Sequence, residues 1–296
     1  MRILSGVQRL TRVLKLLAAG ALSAAPRSQA QNQRSALVQA DRAAAQLSSD
    51  SGLTVVLDHY LRSDGVLLWP GALTLIGTKD VLQFTAPLQR SPRLRLSWQS
   101  LGIEMSQDSA LAALWGIALA TGSRDTFPPR LGRIVTVWQR GTNRWELAVM
   151  LLVGAALSEN KSAVSAHGSN QAPSFTPSDP SKVYLDADRS FAQLARDSGA
   201  SVAFRTWAAP DVMTFGGAGL LVRGREDLSQ AVAGPEQWDW HPVAGGSSGD
   251  LGWTAGEATI RGGGSTNYSK YLTIWRRSPG KPPRFIVDAG NPRPGP

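Results

Sequence analysis

Glu257 is the residue of this sequence best suited to acid-base chemistry. It lies four positions after Trp253 in a stretch rich in aromatic and β-branched residues, which predicts a β-strand over residues 251–260. Alternation along a strand places Glu257 on the same face as Trp253 and Ala255. If that face is concave, a carboxyl among aromatic rings is disfavoured in its charged form and suits a general acid or base. If the face points outward, Glu257 is an ordinary surface residue, and both interpretations stay open.

Aromatic residues supply the second candidate feature, a pocket for an apolar ligand. The chain contains 10 tryptophans, and large aromatic side chains commonly line pockets that bind small molecules. The alternative is that these rings only fill hydrophobic cores, and it stays open. The predicted pocket residues are Trp207, Phe215, Trp240, Trp253 and Trp275.

The residue inventory excludes several other chemistries. The chain has no cysteine, which rules out disulfides, thiolate nucleophiles and cysteine metal sites. It has 3 histidines, and Asp239 and His241, which share a strand face, are too few to form a metal site by themselves. Residues 245–249 match G-x-S-x-G, but no histidine follows His241, so we interpret the segment as a hairpin loop. We predict no metal site and no cofactor.

The strand that carries Glu257 belongs to a predicted β-hairpin. Residues 251–260 and 268–277 form its strands, and Gly262, Gly263 and Gly264 supply the reversal between them. A pair of this length that carries several large aromatic residues must bury at least one face. We expect short helices from elsewhere in the chain to cover it.

The chain contains two copies of one plan. Residues 40–81 align with residues 187–228 without a gap at an offset of 147, with fourteen identities, and so long a period indicates a duplicated domain. In each copy an amphipathic helix precedes a glycine, Gly52 or Gly199, which we expect to form a left-handed cap. Further short helices and then four strands follow. Helices before an antiparallel sheet indicate an α+β fold.

The beginning of the chain predicts export. Residues 1–15 are basic, and the apolar run at residues 16–25 is about half of the roughly 20 residues that a transmembrane helix needs. Ser28-Gln29-Ala30 matches the small-x-small pattern of a cleavage site. We therefore expect a signal peptide over residues 1–30, a periplasmic or secreted protein, and no stable membrane anchor after cleavage near Ala30. The long basic segment leaves an organellar transit peptide open.

The remaining boundaries follow from the repeat and from composition. We predict a degenerate first domain over residues 36–157, a linker rich in Ser, Pro, Asn and Gly over residues 158–181, and a better-preserved second domain over residues 182–296. The net charge is +9, but five of the 31 basic residues lie in the first thirty positions and the others are scattered. This distribution predicts a solvated surface and no nucleic-acid partner.

Several segments of the second copy are distinctive: Trp240-His-Pro, SGDLGWTAG at residues 248–256, YLTIWRR at residues 271–277, and Val287-Asp288. Together with the order of elements, these segments resemble an exported bacterial branch of the nuclear transport factor 2-like superfamily. That branch is usually labelled only a domain of unknown function, and its relatives include SnoaL-like cyclases and ketosteroid isomerase. The first copy departs from the pattern, since Gly249-Asp250 corresponds to Ser109-Ala110 and Asp288 to Met150.

The resemblance implies two tandem cone-shaped domains, each with short N-terminal helices packed on a curved antiparallel sheet, and an apolar pocket in the mouth of the cone. The base aspartate of the isomerase branch is absent, because its place holds Gly216 in the second copy and Trp69 in the first. A carboxylate base there is therefore excluded.

We interpret the chain as a small-molecule-binding protein of unknown specificity. The second domain holds the pocket, and the first packs against it as the structural member of an intrachain pseudo-dimer. A homo-oligomer of the whole chain stays open. One alternative is an isomerase, cyclase or hydratase that uses Glu257, and another is a non-catalytic scaffold or interaction module.

Overall fold

The computed structural model describes residues 7–89, 94–122, 129–154, 181–216 and 221–296, with side chains from residue 29 onward. The predicted linker, residues 158–181, lies outside the described residues except for Ser181, which precedes the first helix of the second half. The chain therefore divides into a first half, residues 7–154, and a second half, residues 181–296.

The first half places helices around a six-stranded sheet. Its sheet order is β2-β1-β6-β5-β4-β3, in which β1 and β6 are parallel and every other pair is antiparallel. A short 3-10 helix, Ala86–Gln89, follows α3. The elements are α1 (Val7–Ser51), α2 (Leu53–Tyr60), β1 (Leu61–Leu68), β2 (Leu75–Ile76), α3 (Thr78–Thr85), β3 (Arg95–Met105), β4 (Leu111–Thr121), β5 (Arg130–Arg140) and β6 (Trp145–Val153).

The second half repeats this plan. Its sheet order is β8-β7-β12-β11-β10-β9, again with one parallel pair, β7 and β12. The two tandem halves confirm the predicted α+β fold, but each sheet is mixed rather than antiparallel throughout, because its first long strand pairs with its last in parallel. The elements are α4 (Lys182–Ser198), α5 (Ala200–Trp207), β7 (Ala208–Phe215), β8 (Leu221–Arg223), α6 (Arg225–Ala231), β9 (Gln237–Ser248), β10 (Leu251–Gly262), β11 (Ser265–Arg276) and β12 (Arg284–Pro292).

The predicted hairpin is confirmed as β10 and β11. Its turn consists of Gly263 and Gly264, with φ of +58° and +77°, and the flanking residues Gly262 and Ser265 pair across the strands. Positive φ at both central residues is what a type I′ turn requires, and glycine adopts it without steric cost.

The loop predicted at residues 245–249 is wrong. Gly245 to Ser248 belong to β9, and the turn to β10 begins only at Gly249, with φ of +57°. The glycines serve packing instead: a Cβ on Gly246 would lie 2.5 Å from the indole nitrogen of Trp253. A glycine-rich strand thus makes room for a tryptophan on the neighbouring strand.

The helix ends differ in detail from the prediction. Gly52 and Gly199 end α1 and α4 with φ of +99° and +89°, but their ψ of 163° and 156° places them outside the left-handed helical region. This extended region at positive φ is accessible essentially to glycine alone. The glycines are therefore required for the sharp change of direction into α2 and α5.

The N-terminal helix continues through the predicted cleavage point. Ala30 is exposed, and among the side chains described Leu37 is the first in α1 to be buried. Cleavage near Ala30 would therefore leave the packed part of α1 intact. Within the described residues, no helix combines the length and the hydropathy that a membrane crossing demands.

The two sheets pack face to face through a shared apolar cluster, which we call the intersheet core. It joins Val137 and Leu151 of the first half to Leu272, Ile274 and Val287 of the second, all of them 0 or 1% exposed. The opposite face of each sheet packs on that half's own helices. Each sheet is thus covered on both faces, which explains the long apolar runs in its central strands.

Polar contacts surround the intersheet core. Asp250 accepts a hydrogen bond from the backbone N–H of Gln107 at 2.8 Å, and Ser248 donates to Asp108 at 2.5 Å. Arg276 bridges the halves by pairing with Glu104 at 3.2 Å. The SGDLG segment of the second half therefore lies at the contact between the halves.

Candidate functional site

The second half contains a cavity of about 390 Å³ on the helix-covered side of its sheet. This volume lies within the range of about 300–1,000 Å³ typical of small-molecule sites. Its walls are mostly apolar and aromatic. The main apolar lining residues are Phe204, Phe215, Leu228, Val232, Trp238, Trp240, Ile260, Tyr268 and Tyr271.

The five aromatic residues predicted for a pocket separate into three groups. Phe215 and Trp240 line the cavity. Trp275 is fully buried in the second half's own core. Trp207 packs edge-to-face with Trp275, with ring centroids 6.2 Å apart. Trp253 lies on the other face of the sheet, in the intersheet core.

Glu257 also lies away from the cavity, on the face that Trp253 occupies. Its carboxylate pairs with Arg293 at 3.2 Å and accepts a hydrogen bond from Thr74 of the first half at 3.4 Å. The alternation along β10 was predicted correctly, but the face that Glu257 shares with Trp253 and Ala255 is covered by the other sheet. Glu257 therefore forms an ion pair at the contact between the halves.

Asp288 is the carboxyl that does line the cavity, and sequence analysis did not select it. It lies on β12, where Thr273 of the neighbouring strand donates a hydrogen bond to its Oδ1 at 2.7 Å. Burial raises the pKa of Asp288 from 3.8 to about 6, and the hydrogen bond from Thr273 only partly offsets that effect. The sequence feature that could have identified Asp288 is the difference between the copies, in which Val287-Asp288 corresponds to Val149-Met150.

A buried polar layer lies between the sheet and α4. Tyr271 donates a hydrogen bond to Asp188 at 3.0 Å, and the indole N–H of Trp275 donates to Thr254 at 2.8 Å. Burial raises the pKa of Asp188 to about 7, and burial together with the nearby Asp188 raises that of Tyr271 well above its usual value. The second half therefore holds two carboxyls, Asp188 and Asp288, whose neutral forms are favoured.

The corresponding space in the first half is filled. Trp69 occupies the place of Gly216, and Met150 occupies the place of Asp288; their side chains are 4% and 0% exposed within the apolar core. Trp69 also packs near Phe84, with ring centroids 6.4 Å apart. A smaller pocket of about 230 Å³ in the first half lies elsewhere, beside Asp41 and Trp98.

The Asp239 and His241 pair lies on the surface. Asp239 contacts His241 at 3.0 Å and Arg196 at 2.8 Å. The hydrogen bonds from Arg196 and His241 outweigh burial and lower the pKa of Asp239. Within the described ranges no three acidic or histidine side chains converge on one point, and this pair belongs to a surface ion-pair network.

Stability is expected to depend on pH through Asp288. The folded-state pKa of Asp288 is raised, so its stabilising contribution is complete below about pH 4 and is lost as the pH rises through about 6. D288N, which keeps an acceptor for Thr273, should remove that loss. We expect the variant to gain about 1–3 kcal/mol relative to the unmodified chain between pH 4 and pH 8.

Urea titrations at several pH values, followed by circular dichroism, measure this difference. D58N provides the control, because Asp58 is exposed. If the difference in unfolding free energy between D288N and the unmodified chain did not change with pH, folding would not raise the pKa of Asp288, and the prediction would be wrong.

Neither a protein-family model nor a curated protein matches this sequence. Solved structures match one half of the chain. A protein of unknown function from Pseudomonas putida, described as NTF2-like, aligns at 15% identity and a TM-score of 0.33, covering 38% of this chain and 84% of its own.

Two further structures are similar in the same sense. An NTF2-like protein with a cystatin-like fold from Novosphingobium aromaticivorans aligns at 14% identity and a TM-score of 0.32, covering 38% of this chain and 80% of its own. An LEH-like epoxide hydrolase from M. tuberculosis aligns at 10% identity and a TM-score of 0.31, covering 38% and 83%. At identities of 10–15% and TM-scores of 0.31–0.33, none of these matches assigns an activity, a ligand or a partner to this chain.

Proposed function

We propose that this chain is an exported two-domain protein whose second half binds a small apolar molecule in the cavity beside Asp288. The first half is its structural partner within the same chain. The observation that carries the proposal is the contrast at equivalent positions. In the second half, Gly216 has no side chain to fill the cavity and Asp288 lines it. In the first half, Trp69 and Met150 fill the equivalent space.

Two other features support the proposal. The first half has a structural role that needs no cavity. Through the intersheet core it covers a face of the second sheet that would otherwise expose Leu272 and Ile274. The basic segment, the apolar run and Ser28-Gln29-Ala30 support export with cleavage near Ala30. A periplasmic or secreted location is part of the proposal.

An enzymatic alternative is favoured by one observation, the position of Asp288. A carboxyl with a pKa of about 6 in an apolar cavity can exchange a proton with a bound molecule near neutral pH. An isomerase, cyclase or hydratase would then use Asp288, because Glu257 lies on the other face of the sheet. Turnover of a bound compound that is lost in D288N, with binding retained, would favour this alternative.

Filling the cavity is expected to abolish binding. A Cβ on Gly216 would meet no atom within 4 Å, so G216W can place its ring in the cavity and reproduce the residue of the first half. We expect the full chain to bind at least one compound of a panel of steroids and aromatic polyketides, and G216W to bind it at least about tenfold more weakly.

Thermal shift and tryptophan fluorescence measure this binding, since a ligand at about 100 times its Kd stabilises the native state by about 2.7 kcal/mol. L131W is the matched control, because Leu131 is 72% exposed and lies in the first half. Binding that survives in G216W would place the site elsewhere. The absence of binding across the panel would favour a scaffold or interaction module.

A further inference from the structure

Several aromatic rings line the cavity. Trp238 and Trp240 stack with ring centroids 5.0 Å apart and planes within 17° of parallel, and both line the cavity. Tyr268 already contacts a cation, because the guanidinium of Arg293 lies 5.1 Å from its ring centroid. Aromatic faces attract organic cations through their quadrupole, most strongly where water is excluded.

The charge that reaches the cavity is negative. Among the described residues, two charged side chains contribute to its lining, Lys270 and Asp288. The ammonium of Lys270 donates hydrogen bonds to the backbone oxygens of Trp69 and Ala72 in the first half, so it points to the other face of the sheet. Asp288 is therefore the charged group available to a ligand.

Asp288 has no cationic partner in the described part of the chain. Its one side-chain hydrogen bond there comes from Thr273, and its raised pKa arises from burial. Asp188, the nearby buried carboxyl on α4, adds a second acidic group, whose pKa is raised in part by Asp288. Among the described residues no cation pairs with Asp288 itself, and a bound cation would supply that partner.

We propose that the ligand of this cavity is a small organic ammonium ion, with its charged head at Asp288 and its apolar part against Trp238 and Trp240. This inference rests on the proposed function and narrows it, since the molecule bound in the same cavity would combine an apolar part with one cationic head. Aromatic walls with one carboxylate are suited to a quaternary or tertiary amine, for which the rings replace the hydration shell and the carboxylate balances the charge.

Matched probes separate charge from shape. Choline and 3,3-dimethylbutan-1-ol have nearly the same shape, but only choline is charged; benzyltrimethylammonium and neopentylbenzene form a second such pair. Isothermal titration of the full chain at pH 8 is expected to show each cation binding at least about tenfold more tightly than its neutral counterpart. D288N should remove most of this preference and leave the affinity for the neutral probes within about twofold.

E257Q is the control variant, because Glu257 is a carboxylate on the other face of the sheet; it should bind all four probes as the unmodified chain does. Equal affinity for charged and neutral probes, or an unchanged preference in D288N, would overturn the ammonium inference. Neutral panel compounds that bind where the cations do not would leave the proposed function standing and refute this inference alone. If neither class binds, or if G216W binds both unchanged, both proposals are wrong.

Discussion

Replacement of Trp275 by alanine is expected to destabilise the protein by about 3–5 kcal/mol. Trp275 is 1% exposed, its indole N–H donates to Thr254, and its ring contacts the edge of Phe285 at 5.6 Å. W275A therefore removes a fully buried ring, leaves a cavity between the sheet and the helices, and deprives Thr254 of a donor. Such a cavity cannot collapse fully, because the strands around it are held by their neighbours.

Guanidinium titration followed by far-ultraviolet circular dichroism measures the loss without relying on tryptophan emission. W207A is the matched control: Trp207 contacts Trp275 but is only partly buried, so its loss should cost less than half as much. W138A should match W275A, since Trp138 is buried equivalently in the first half and donates to Thr136 at 3.1 Å. Equal costs for W275A and W207A would contradict this account of the core.

Stability is expected to rise by about 3–5 kcal/mol between pH 7 and pH 10 because of Lys270. This side chain is 0% exposed, and burial lowers its pKa from 10.5 to about 7, although Glu257 opposes the effect. The unfolded chain binds a proton at this lysine up to about pH 10, whereas the folded chain releases it above about pH 7. The folded state therefore carries the cost of a buried ammonium at low pH and escapes it as the pH rises.

K270M is expected to abolish this gradient. Loss of the hydrogen bonds to Trp69 and Ala72 shifts stability by an amount that does not depend on pH, so the difference between K270M and the unmodified chain isolates the titration. K182M is the control, because Lys182 is half-exposed and pairs with Asp186 on the surface of α4. A gradient that persists in K270M would assign the pH dependence to another group.

Lys270 also belongs to a set of polar contacts that constrain how the two sheets align with each other. Glu257, Lys270 and Asn291 are neighbours across β10, β11 and β12, on the face toward the first half. Asn291 donates to the backbone oxygens of Leu68 and Leu152, each at 2.8 Å. Together with the contacts of Lys270, these hydrogen bonds to backbone atoms constrain the register between the sheets in a way that apolar packing alone does not.

The order and type of the elements could be predicted from local features of the sequence. Glycine pairs define the β10–β11 turn, apolar periodicity defines α4, and the internal repeat transfers each assignment from one half to the other. The loop predicted at residues 245–249 failed because glycine has two uses that look alike in a sequence. It permits a turn, as at Gly249, and it makes room for a large neighbour, as Gly246 does for Trp253.

The sequence by itself determined that Glu257 shares a face with Trp253, and that the two halves differ at Gly216 and Trp69 and at Asp288 and Met150. Only the tertiary structure decided which face of the second sheet borders the cavity. Both faces carry large apolar residues, because helices cover one and the other sheet covers the second. Alternation assigns residues to a common face but contains no information about what packs on it, and for that reason Asp288 rather than Glu257 lines the cavity.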